Sequence, residues 1–335
     1  MRRFFAFAAS LIVSGAALAA APRHPAPTVA SFQRDLVNVL ALRSQAQPLL
    51  GAALLAHTLP DLPDFSNFHA LVTRAAKADD AGPAEWWAQL VDCDPKVLDC
   101  PNKQALTALG KHDADNAAVW LMALGRAEHD AGKKAVRDMF AKAVAANHYD
   151  DYHGVATQAL ALATAALPPP KTLYDGKHAA ANSAAGVRAL IVFGSASPQP
   201  MPGFQAAAGL CAKSKPASDL RADCLKLANT LVWGSAPLAR SLGLHLESTL
   251  ADNATVREQA KTARRDLTWQ VHSFAQLALD TQKQPVLAQK LLQLARSGGT
   301  QMSLILAALR AARIPVHAPA DWQPHGSKTA KSAGH

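Results

Sequence analysis

Apolar residues recur at steps of three and four along nearly all of this chain, and prolines interrupt the pattern at short intervals. Phe32, Leu36, Val39 and Leu40 form one such stripe, and Val119, Trp120, Ala123, Leu124 and Ala127 another. Leu220, Cys224, Leu227 and Leu231 repeat it, as do Leu238, Leu242, Leu246 and Leu250. This is the spacing of one face of a helix with 3.6 residues per turn, whereas a half-buried strand would alternate. Ile191-Val192-Phe193 is a short apolar run that reads equally as a strand or a buried helical turn. Composition agrees with helix. Ala and Leu dominate, Ile occurs four times, Tyr three times, and aromatics make up 6% of 335 residues. Sheets favour β-branched and aromatic residues, while Ala and Leu lose little side-chain entropy in a helix. The fold class expected is all-α: an α-solenoid or an irregular array of antiparallel helix hairpins, with a dozen or more helices and short connections.

The breaks divide the chain. Pro168-Pro169-Pro170 cannot be helix interior. They predict a Pro-rich connection over 168–177 between an N-terminal helical array, 31–167, and a C-terminal one, 178–314. Residues 20–30 are rich in Ala and Pro and are expected to be flexible. Residues 315–335 carry Pro, His, Lys and Ser and are expected to be a disordered tail.

The first nineteen residues have their own pattern. Arg2 and Arg3 precede an apolar run from Phe4 to Leu18, and Ala17-Leu18-Ala19 sets small residues where a signal peptidase needs them. This predicts a secretory signal peptide, 1–19, and a periplasmic or secreted mature chain with no stable membrane insertion. Its removal leaves 32 basic against 25 acidic residues, a balance of about +7. The basic residues are scattered, without the aromatic-interleaved stripe that nucleic-acid binding needs, so no nucleic-acid partner is expected.

Four cysteines fall in two local pairs, Cys93 with Cys100 and Cys211 with Cys224. Four cysteines allow three pairings, and locality favours these two as disulfides. Their gaps of six and twelve residues do not suit zinc, whose ligands are commonly two to four residues apart. No metal or other cofactor is expected.

Around residues 115–148, Trp120, Phe140 and Ala143 occupy three signature positions of a helix hairpin, following Asp115-Asn116. This segment resembles a tetratricopeptide repeat, with Leu124, Val136 and His148 departing from that family's pattern. The resemblance implies a helix–turn–helix scaffold that contacts a protein or peptide. It also implies that Trp120 and Phe140 share the seam between the two helices.

Residues with chemical potential are few. His148-Tyr149-Asp150-Asp151-Tyr152-His153 is the densest group of possible ligands; on a helix His148 and Asp151, or Asp150 and His153, would share a face and could hold a divalent metal. As a polar helix end and turn, the same residues would have no such role. Ala239-Arg240-Ser241-Leu242-Gly243 is similar to a nucleophile elbow but follows a helix start rather than a strand. Glu247-Ser248 resembles the Glu-Ser pair of lytic transglycosylases, without the rest of that motif. Trp86-Trp87 sets two rings about 100° apart on a helix, and an exposed ring there would be a partner contact. These residues together predict an exported, non-enzymatic helical scaffold that binds a protein or peptide in the cell envelope. The alternative is a peptidoglycan-acting hydrolase or transglycosylase on a helical scaffold.

Overall fold

A computed structural model describes residues 28–92, 102–130, 132–177, 179–194 and 200–323, the side chains of 128–130 excepted. Among them are fifteen α-helices and no strand. The first four are α1 (Val29–Leu40), α2 (Ala46–Ala56), α3 (Phe68–Ala76) and α4 (Pro83–Gln89). Next come α5 (Asn102–His112), α6 (Ala117–Asp130), α7 (Lys133–Ala145) and α8 (His153–Ala163). After a 3-10 turn at Lys171–Leu173 follow α9 (Ala184–Gly194), α10 (Phe204–Cys211), α11 (Asp219–Val232) and α12 (Pro237–Leu250). The last are α13 (Ala254–Asp280), α14 (Pro285–Arg296) and α15 (Gln301–Ala311). Ile191-Val192-Phe193 is therefore helical, inside α9.

Local chemistry places most helix starts. The side chains of Thr28, Asn67, Ser218, Asn253 and Thr300 each accept a hydrogen bond from a backbone N–H of the first turn that follows. Each satisfies a donor that would otherwise have no intrahelical partner. Pro83, Pro237 and Pro285 open α4, α12 and α14, where a missing N–H costs nothing. One cap comes from a distant residue: Asp80, beyond α3, accepts from Ala46 N at 2.8 Å at the head of α2.

Sequence neighbours pair as hairpins, with α2 on α3, α6 on α7, and α11 on α12. The array also folds back on itself. α2 packs on α8, α14 on α8 and α9, α11 on α7, and α10 on α6. In a solenoid each unit touches only its neighbours. This is therefore the irregular-array form of the expected fold. Close crossings permit the return: a Cβ on Gly51 of α2 would lie 2.8 Å from the Ala159 carbonyl oxygen on α8.

Two of the three cores cross the proline-rich connection. One joins Phe32, Leu50 and Leu71 to Leu160, Ile191 and Leu292. A second joins Trp87, Leu109, Leu124 and Phe140 to Leu227 and Leu246. A third gathers Leu244, Leu267, Leu291, Met302 and Leu309. The segment 168–177 thus links two stretches of chain that share two apolar cores.

The expectation for the tail is corrected over residues 315–323. Trp269 Nε1 donates to Pro315 O at 2.8 Å, and Gln270 Nε2 to Val316 O at 2.9 Å. Arg265 donates to the Pro319, Ala320 and Trp322 carbonyls, and Trp322 packs edge-on against Trp269 with ring centres 5.4 Å apart. A segment without an apolar stripe is held here because α13 supplies donors to its backbone. Residues 324–335 lie outside the described residues, as does the expected signal peptide.

Candidate functional site

An open cleft with an aromatic floor, about 540 Å³, lies where α5 meets the α6–α7 hairpin. α5 contributes Lys103, Leu106, Thr107, Gly110 and Lys111, positions i, i+3, i+4, i+7 and i+8, which form one helix face. α6 adds Trp120, Ala123 and Arg126, and α7 adds Met139. The indole is fixed at three points. Its Nε1 donates to Ala114 O at 2.6 Å. Its far edge meets Gly110, where an added Cβ would sit 3.3 Å from the ring. Lys142 of α7 places its ammonium 4.4 Å from the ring centroid, in cation–π contact. No carboxylate lines the cleft among the described residues.

Trp120 is therefore half-buried on the α5 side, while Phe140 is buried in the core of the hairpin. Trp120 lies against α5 at Gly110 as well as against α7 at Lys142, and it packs on the core cluster that holds Phe140.

A buried polar hub holds this hairpin to the rest of the molecule. Asn116 is fully buried. Its Oδ1 accepts from Ala118 N at 3.0 Å, capping α6, and from Asp150 N at 2.9 Å. Its Nδ2 donates to Asp113 Oδ2 and to Asp150 O, both at 2.7 Å. The Tyr152 hydroxyl donates to the same Asp113 oxygen. Tyr152 holds a left-handed backbone, φ 54°, which is unusual for a residue with a Cβ. Ser235, between α11 and α12, completes the hub with hydrogen bonds to Asp151 N and Oδ1, both at 3.2 Å.

The group at His148–His153 is thus part of the hub, a turn and a helix start rather than one helical face. Asp150 Oδ1 accepts from Tyr152 N, and Asp151 Oδ1 from His153 N, so both carboxylates are engaged by the turn itself. No three His, Cys, Asp or Glu side chains converge to hold a metal among the described residues. Burial pushes the Asp151 carboxyl above its ordinary range and the His153 imidazole below its own.

The other expected residues separate. Trp87 is 1% exposed and sits in the second core, so it cannot meet a partner; a ring whose neighbours are α5 and the hub has no free face. Trp86 is half-buried, with Nε1 donating to Ala76 O at 3.3 Å and its ring 5.1 Å from His112. Cys211 and Cys224 are disulfide-bonded with Cα atoms 5.8 Å apart, whereas Cys93 and Cys100 lie outside the described residues. Ser241 is inside α12 with no strand before it, which removes the elbow geometry. Glu247 is half-buried on the same helix, its carboxyl raised by burial, and lines none of the three clefts described here.

No protein-family model, curated protein or solved structure matches this chain.

Two further clefts escape the sequence. One, about 370 Å³, holds His57, Asn67, His69 and Asp92, with His69 Nδ1 2.8 Å from Asp92 Oδ2. The Asp92 carboxyl is raised by burial, and the facing imidazole of His69 pulls it back. The other, about 450 Å³, is largely apolar and lies between α9 and α13, with Leu190, Phe193, Phe274 and Leu279 on its walls. The lysines of the Trp120 cleft could have been found from the i, i+4, i+8 spacing of Lys103, Thr107 and Lys111. Read alone, that spacing is also what any solvated helix face shows.

Proposed function

We propose that this chain is an exported, non-enzymatic helical scaffold that binds a protein or peptide in the bacterial cell envelope. The observation that carries the reading is the open cleft over Trp120. It joins an aromatic floor to a polar, cationic rim on three helices that the buried hub at Asn116 holds in register. A pre-formed aromatic floor costs little ordering entropy when a partner side chain docks. The tetratricopeptide-like pattern at Trp120, Phe140 and Ala143 supports the same use. Export is supported by the N-terminal pattern and by the bridged Cys211–Cys224 pair, since disulfides persist in oxidising compartments. The hydrolase alternative would need Glu247 in a cleft with other polar groups, and Glu247 is in none of those described.

The test is photo-crosslinking in intact cells. A photoreactive residue in place of Thr107, exposed on the cleft, should yield a discrete protein adduct. The same residue in place of exposed Gln259 on α13 should not. Absence of an adduct at 107, or identical adducts at both positions, would reject the reading.

A further inference from the structure

The rim of the Trp120 cleft has a spacing as well as a sign. Lys103 and Lys111 stand eight residues apart on one face of α5, about 12 Å along the axis at 1.5 Å per residue. In an extended peptide, side chains at i and i+4 lie on one face about 13 Å apart, with the side chain at i+2 between them on the same face. Between the two lysines the cleft offers Leu106, Thr107 and Gly110, with Trp120, Ala123 and Met139 opposite and Arg126 beside them on α6. Along α5 the cleft is thus cationic at its two ends and, Thr107 apart, apolar between them.

We propose that this cleft binds an extended peptide segment of the pattern acidic–x–apolar–x–acidic. The two carboxylates would pair with Lys103 and Lys111, and the apolar side chain would lie on Trp120 and Met139. The proposal rests on the reading of the chain as a peptide-binding scaffold and names the chemistry of its partner. Charge complementarity selects the acidic ends, because the rim is cationic and no carboxylate lines the cleft among the described residues. The apolar centre selects a peptide over an anionic saccharide. Leu106, Ala123 and Met139 offer no hydrogen bond to a ring of hydroxyls.

The experiment uses the full disulfide-bonded protein and fluorescein-labelled pentapeptides, read by fluorescence anisotropy. The probe is Glu-Ser-Leu-Ser-Glu. One control carries Lys in place of both Glu, and another has the same composition in the order Glu-Glu-Ser-Leu-Ser. The probe should bind at least about tenfold more tightly than either control, and its affinity should fall as salt rises. The double variant Lys103→Glu/Lys111→Glu, altered at two exposed positions, should lose the preference for the probe with its helical circular dichroism unchanged. Equal binding of the three peptides, an unaffected double variant, or binding of an acidic oligosaccharide in place of the probe would overturn the proposal. An adduct from position 107 with no binding of the probe would leave the scaffold reading standing and remove this occupant. Neither adduct nor binding would remove both.

Discussion

Asn116 uses both ends of one amide to join three segments: the end of α5, the start of α6 and the turn before α8. Substituting Ala removes a helix cap, worth about 1 kcal/mol, and strands buried groups of the turn, each costing about 1–3 kcal/mol. Asn116→Ala should therefore destabilise the protein by about 2–4 kcal/mol, measured as a fall in the urea midpoint. A loss below about 1 kcal/mol would mean that water replaces the amide. His153 makes a second residue-scale prediction. Burial lowers its folded pKa below the ordinary 6.5. The unfolded imidazole takes up a proton at higher pH than the folded one, so folding stability is complete above that value and is lost as pH falls through it. His57 is lowered for the same reason and acts in the same direction. The raised carboxyls of Glu85, Asp92, Asp151 and Glu247 act in the opposite direction, so the His153 contribution is read as a difference: the drop in unfolding midpoint between about pH 7 and about pH 5 should be smaller in His153→Gln than in the parent. An unchanged drop would place the titrating group elsewhere.

Among the described elements, a covalent bond secures α10 to α11. α10 has eight residues, packs on α6 through the close approach of Gly203 to Gly125, and ends at Cys211. The disulfide to Cys224 ties it to α11 across a separation of 13 residues. A loop of that length stabilises by about 2–3 kcal/mol in the chain-entropy account. Cys211→Ser/Cys224→Ser should lose that amount under oxidising conditions, and the loss should vanish when variant and parent are compared with full reductant present. Equal stability of the two oxidised proteins would mean that the packing of α10 suffices. α10 lies apart from the Trp120 cleft lining, so peptide binding should survive the double substitution. Helix starts are legible where a cap or proline acts within one turn: Pro83, Pro237, Asn253 and Thr300 all stand at the starts their chemistry sets. The contact of Trp120 with α5 was not legible, because its partner, Gly110, stands one helix away.

Over the whole molecule the same limit recurs. Helical class and helix spacing follow from periodicity, a property of neighbours in sequence. The pairing of α2 with α8, or of α14 with α9, depends on faces of Ala and Gly that look alike in every helix. Periodicity therefore did not disclose that two of the cores cross residues 168–177. The candidate cleft was half legible: its tryptophan stood out, but its lysines read as an ordinary solvated face until α6 and α7 closed the other sides. The way α2 is enclosed has a consequence for how the chain is made. Leu49, Leu50, Leu54 and Leu55 are buried around its circumference, in part by α8, about a hundred residues further on. A chain is synthesised, and threaded across a membrane if exported, from its N-terminus. α2 thus emerges as a helix apolar at every position but Gln47, well before the partner that covers it. The delay leaves an apolar surface uncovered during synthesis, an interval in which aggregation competes with folding.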